Sequence, residues 1–133
     1  MSQIVDQRIV TLEIANEFTC GKTPLNEIID DCYNTKIANN IKNKRSETKF
    51  ILSALFRRLF EIDNIIDQLT DKNISPRNIM VRNCIRIAII ELIDLKRPAY
   101  AVINSWVEIA KNKKRLMHFS KLINAILRKF LKD

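Results

Sequence analysis

The stretch Cys84-Ile85-Arg86-Ile87-Ala88-Ile89-Ile90-Glu91-Leu92-Ile93-Asp94-Leu95 decides the fold. It closes a longer segment, residues 76–95, that is apolar almost all the way round a helical cylinder. A helix with no face given over to solvent belongs at the centre of a bundle. The same run is too short and too charged to cross a bilayer. Its 12 residues include Arg86, Glu91 and Asp94, where a spanning helix needs about 20 mostly apolar residues. Arg86 is flanked by Ile85 and Ile87, so it must pair with Glu91 or with a carboxylate on another helix, because an unpartnered buried charge is costly.

Working outward, every other segment with apolar content has helical period. Val5, Ile9, Leu12, Ala15 and Phe18 form a first stripe, and Gly21 follows it where a helix would close on a left-handed residue. Ile51, Ala54, Leu55 and Leu59 form another after a cap at Ser46, and Ile62, Ile65, Ile66 and Leu69 continue it past a kink near Asp63. Ala99, Val102, Ile103, Trp106 and Ala110 line one helix; Phe119, Leu122, Ile123, Ile126, Leu127 and Phe130 line the last. Pro24, Pro76 and Pro98 each mark a helix start, the first two after Thr23 and Ser75 as N-caps. One glycine and three prolines supply too few turns for an extensive sheet. The expectation is an all-α bundle of about seven helices, with a polar loop over Lys36–Arg45 and one domain spanning residues 1–133. A chain of this length buries about two-thirds of its unfolded surface, enough for a core of its own.

The chemistry of an active site is missing. His118 is the only histidine, which leaves neither an imidazole metal site nor a nucleophile–base pair, and it reads as a half-exposed residue at a helix terminus. A lone glycine cannot build a phosphate loop. Asp30 and Asp31 are adjacent, so their side chains diverge by about 100° on a helix. Cys20, Cys32 and Cys84 match no zinc spacing and are odd in number, so they read as reduced, mostly buried thiols of a cytoplasmic protein. No secretory leader is expected, since Asp6 and Arg8 interrupt the opening residues.

Charge is informative by its placement. Residues 1–66 hold nine Lys/Arg and nine Asp/Glu, whereas residues 67–133 hold fourteen and six, so the whole excess of +8 lies in the second half. Such asymmetry points to a polyanion, nucleic acid before a membrane surface. Lys111, Lys113, Lys114 and Arg115 occupy the link between the last two helices. Lys121, Arg128 and Lys132 recur on the outer face of the last helix, flanked by Lys129. These eight are the candidate phosphate contacts, which supply affinity and register more than sequence reading. Arg57, Arg58 and Arg77 extend the patch if the fold brings them round. A plain solvated helix face is the competing reading. Trp106 falls on a core stripe, which leaves Tyr100 as the better candidate for stacking on a base.

The C-terminal motifs resemble those of the NusB-like family. Pro98-Ala99-Tyr100-Ala101-Val102-Ile103-Asn104 followed by Val107-Glu108-Ile109-Ala110-Lys111 is similar to its P-x-x-A-V-N-x-x-V-E-x-A-K helix. Leu122-Ile123-Asn124-Ala125-Ile126-Leu127-Arg128 is similar to its closing V-N-A-V-L-R. Cys84 through Leu92, Leu55-Phe56-Arg57-Arg58-Leu59 and Pro24-Leu25-Asn26-Glu27 resemble the central, third and second helices. The N-A-I-L-R ending resembles the N-terminal domain of RsmB (Sun/Fmu-type) small-subunit rRNA cytosine-5 methyltransferases more than free-standing NusB, where N-G-V-L-D is usual. The resemblance implies a non-catalytic RNA-binding domain, either accessory to a methyltransferase or standing alone. It implies no cofactor in this chain, S-adenosylmethionine belonging to a catalytic domain if one follows. The alternative it leaves open is an antitermination factor that binds RNA with a ribosomal protein. The arginine-rich first helix that NusB uses on RNA is absent, with Arg8 alone there.

Overall fold

The computed structural model describes residues 3–36, 44–71 and 73–132, apart from the side chains of residues 3–6, 35 and 36. Among them are α1 (Gln3–Cys20), α2 (Leu25–Asp31), α3 (Arg45–Arg57), α4 (Leu59–Leu69), α5 (Ile79–Ile93), α6 (Ala99–Asn112) and α7 (Ser120–Lys132). A π turn follows α2 at Cys32–Lys36, and 3-10 turns precede α5 and α7 at Pro76–Asn78 and Met117–Phe119. No strand occurs among the described residues, and no helix among them is long and apolar enough to cross a membrane. The polar loop expected over Lys36–Arg45 lies mostly outside the described residues.

α5 is the axis of the bundle, as its composition requires. α1, α3, α4, α6 and α7 all pack against it. Ile85, Ile87, Ile89 and Ile90 are fully buried, together with Cys84 and Ala88. Each such isoleucine contributes about 1.5–3 kcal/mol of transfer free energy. The surrounding helices present Leu12, Leu52, Leu55, Ile62, Ile66, Trp106 and Leu127 to this axis.

A carboxylate sits inside this core. Glu91 is completely buried and is surrounded by donors from three directions. Arg8 on α1 gives it Nε at 2.9 and 3.0 Å, Trp106 on α6 gives its indole N–H at 2.6 Å, and Arg97 gives Nη1 at 2.6 Å. Arg97 also pairs with Glu47 on α3. Lys96 adopts a positive φ of 50° between α5 and α6, and the backbone N–H of Arg97 donates to the Glu91 carbonyl at 3.2 Å. One buried charge therefore joins α1, α3, α5 and α6. Arg86 pairs elsewhere: it grips Asp63 on α4 through Nε at 2.8 Å and Nη2 at 2.7 Å, and donates to Asn83 at 2.8 Å. Its partner is thus the carboxylate on another helix.

Several local expectations are corrected. Gly21 does not adopt a positive φ; its lack of a side chain matters because a Cβ would lie 3.1 Å from the Glu17 carbonyl oxygen. Thr23 does not cap α2. Pro24 takes that position, its carbonyl accepting the Ile28 N–H at 3.2 Å. Ser46 lies inside α3, which starts one residue earlier, while Ser75 does cap its turn by accepting the Arg77 N–H. The helix break falls at Arg58, with φ −114° and ψ 27°. Asp63 stays helical and receives Arg86 and Arg82. Of the cysteines only Cys84 is buried; Cys32 is half-buried and Cys20 exposed.

Candidate nucleic-acid interface

α7 is amphipathic by sequence. Ile123, Ile126 and Leu127 are buried, which forces Lys121, Arg128 and Lys132 outward, within about 40° of one another round the helix. The helix carries no acidic residue to neutralise them. Arg128 is steadied along the helix by donating from Nε to the Asn124 side-chain oxygen at 3.0 Å. Beside α7, the outer side of α6 presents Asn104, Val107, Glu108 and Lys111, and the two helices enclose a groove of about 380 Å³ with Lys121 and Asn124 on its far wall.

The link between these helices is shaped by one apolar residue. Leu116 is fully buried, and the chain wraps round it. The N–H groups of Leu116 and Met117 donate to the Lys113 carbonyl at 3.0 and 2.9 Å, and the Phe119 N–H donates to the Leu116 carbonyl at 2.8 Å. With Leu116 plugged into the core, its neighbours Lys114 and Arg115 are exposed. They line a second hollow of about 510 Å³, together with His118 and with Arg77 from the Ser75-capped turn. Ser75 holds that turn by accepting the Arg77 N–H at 3.2 Å.

The eight candidate cations thus separate. Lys111 and Lys121 line the α6–α7 groove, Arg128 and Lys132 follow Lys121 along the outer face of α7, and Lys114 and Arg115 gather in the second hollow. Lys113 leans toward Glu13 on α1, 3.4 Å away, which spends part of its charge within the protein. Lys129 points round α7 toward α4, with Nζ 3.5 Å from the Leu69 carbonyl oxygen. Among the possible extensions Arg77 joins the hollow. Arg58 does not, because it pairs with Asp94, and Arg57 lines neither concavity. Arg8, the single arginine of α1, is buried on Glu91 and is closed to a ligand.

Asn104, Glu108 and Asn124, none of them among the sequence-based candidates, give the groove its polar lining. Their signal was position: each falls on the outward side of a helix whose opposite side is apolar. His118 is exposed in the turn before α7, at the helix terminus where the sequence puts it, and lines the hollow that Lys114 and Arg115 also line. Tyr100 is 74% exposed and Trp106 fully buried, as expected. Among the described residues no group of three His, Cys, Asp or Glu is placed to hold a metal ion.

The arrangement offers cationic side chains with polar amides between them, on a helical frame fixed by the core. In comparison with known proteins, the model of the NusB family matches residues 5–132. No curated protein and no solved structure matches the chain.

Proposed function

The chain belongs to the NusB family, and on that premise we propose that it is a non-catalytic RNA-binding module whose cationic C-terminal face engages small-subunit ribosomal RNA. The observation that carries this reading is the pairing of Lys111 and Lys121 in the α6–α7 groove, with Arg128 and Lys132 continuing the outer stripe of α7 and Lys114, Arg115 and Arg77 in a second hollow. Phosphates are bound by such clusters because each neutralised phosphate releases condensed counterions. The bare α7 stripe also argues against a merely solvated face, since soluble surfaces usually intersperse both signs of charge.

The finer placement rests on the closing Asn124-Ala125-Ile126-Leu127-Arg128, which resembles the N-terminal domain of the RsmB methyltransferases. In that setting the module holds ribosomal RNA for a catalytic domain that supplies S-adenosylmethionine chemistry. One observation supports a protein partner as a second reading, of the antitermination type. Phe60 on α4 is 92% exposed, beside a hollow lined by Leu59, Asp63, Asn64 and Asp67, and a bare aromatic beside a concavity is a common anchor at protein interfaces.

The test is fluorescence anisotropy with labelled fragments of small-subunit rRNA at physiological salt. Saturable binding that weakens when Lys114, Arg115 and Lys121 are replaced by Ala supports the proposal. Absence of binding, or binding indifferent to those three, removes it. Loss of partner binding on Phe60→Ala, with RNA binding absent, would favour the second reading.

A further inference from the structure

We infer that the groove between α6 and α7 is a track for single-stranded RNA, with Tyr100 as its base-stacking platform. This deepens the RNA reading above and rests on it. Tyr100 stands one turn before Asn104 on α6, and Asn104, Val107 and Lys111 follow along the groove side of that helix at helical spacing. The buried residues of α6, among them Val102, Trp106 and Ile109, occupy its other side. Tyr100 itself keeps three-quarters of its surface in water, so its ring adds little to the core. From Tyr100 to Lys111 the helix rises about 16 Å, which sets an aromatic ring one turn beyond the Asn104 end of the groove and a cation at its other end.

The charges divide the groove lengthwise. Lys121 lines the α7 wall, with Arg128 two turns further along that helix and bonded to Asn124; on the α6 wall Glu108 lies one turn before the terminal Lys111 and accepts from the Asn112 amide at 3.2 Å. A carboxylate repels phosphate, so the sugar–phosphate chain runs on the α7 side and the bases turn toward α6. There they meet the Tyr100 ring and the Asn104 amide, with the Asn124 amide on the opposite wall, groups suited to stacking and to base-edge hydrogen bonds. Only an unpaired strand can offer a free base face to a surface aromatic; a duplex keeps its faces stacked inside. Phe60, the other aromatic more than half exposed among the described residues, cannot play this part. Phe60 lies beside Asp63 and Asp67, whose negative charge is wrong for a phosphate chain.

The experiment compares an unstructured oligouridine with a hairpin duplex of matched length, both labelled, by anisotropy on the full chain. Tyr100→Ala is expected to weaken oligouridine binding about ten-fold, the loss typical of one stacked base, and to leave duplex binding unchanged. Tyr100→Phe should restore it, since the ring and not the hydroxyl does the stacking. Replacing Lys121 and Arg128 with Ala should weaken both ligands. If that pair matters but Tyr100→Ala binds oligouridine like the parent, or weakens both ligands equally, the stacking track is overturned and the RNA reading stands. If the parent binds neither RNA, or the pair is without effect, the RNA reading falls and takes the track with it. Photocrosslinking with 5-iodouridine is a separate readout: an adduct on the peptide containing Tyr100 is expected, and adducts only on other peptides would overturn the assignment.

Discussion

Replacing Glu91 with Gln removes one charge from the centre of the bundle while keeping its size. The carboxylate is fully buried and receives Arg8 through Nε at 2.9 and 3.0 Å, Arg97 at 2.6 Å and Trp106 at 2.6 Å. A glutamine has one acceptor oxygen, so its amide nitrogen would face donors. Arg97 keeps Glu47, but Arg8, at 6% exposure, is left without a counter-charge. Breaking a buried pair from one side costs about 3–5 kcal/mol. A domain of this length has a total stability of roughly 7–20 kcal/mol, so the variant folds but is strongly weakened. With an m-value of about 2 kcal/mol per molar urea, the unfolding midpoint should fall by about 2 M. Circular dichroism and Trp106 fluorescence should report one transition, because the indole N–H is part of the network. A control sets the scale: Arg45→Ala breaks an exposed pair with Asp30 and should cost less than about 1 kcal/mol. A Glu91→Gln loss no larger than that control would refute the reasoning that this carboxylate ties four helices together.

Other outcomes follow from the same geometry. Leu116→Ala should cost about 2–5 kcal/mol in urea unfolding. Because the plug positions Lys114 and Arg115, it should also weaken RNA binding without removing a charge. In native protein at neutral pH, iodoacetamide followed by mass spectrometry should label Cys20 quickly and Cys84 only as fast as the chain unfolds, since Cys84 is buried and burial pushes its thiol upward. The same direction applies to Tyr33, buried and raised above its ordinary 10.0. Both groups are held neutral in the folded state. Their contribution is therefore complete below the ordinary thiol value of 9.0, and stability should fall as pH rises above about 9, where only the unfolded chain readily ionises. Urea midpoints measured across that range check the sign. Lys129→Ala should change RNA affinity less than about two-fold, its ammonium being turned toward the Leu69 carbonyl.

How much of this was legible in the sequence depended on the range of each interaction. The all-round apolar character of residues 76–95 placed α5 at the centre, and the period of Lys121, Arg128 and Lys132 placed them outward. Both are properties of one helix and need no knowledge of its neighbours. Lys113 and Lys129 carried the same local signal, yet their partners stand 100 and 60 residues away in sequence. Packing alone brings Glu13 and the Leu69 carbonyl to them. Arg86 shows the same limit: burial made a carboxylate partner necessary, but choosing Asp63 over Glu91 required knowing that Arg8, Arg97 and Trp106 already fill Glu91. The break at Arg58 was displaced for a related reason, since Asp63 is held in its helix by Arg86 and Arg82. The polar groove lining of Asn104, Glu108 and Asn124 exists only where two helices meet.

The central claim is that the C-terminal face binds RNA through its phosphates. The direct measurement is the slope of log affinity against log salt for a small-subunit rRNA fragment, taken on the parent chain and on the variant with Lys111, Lys121 and Arg128 changed to Ala. Each lost contact should reduce the magnitude of the slope by about 0.7 for an unpaired strand, so the variant should be shallower by about 2. Equal slopes for the two proteins, with affinity retained, would contradict the account.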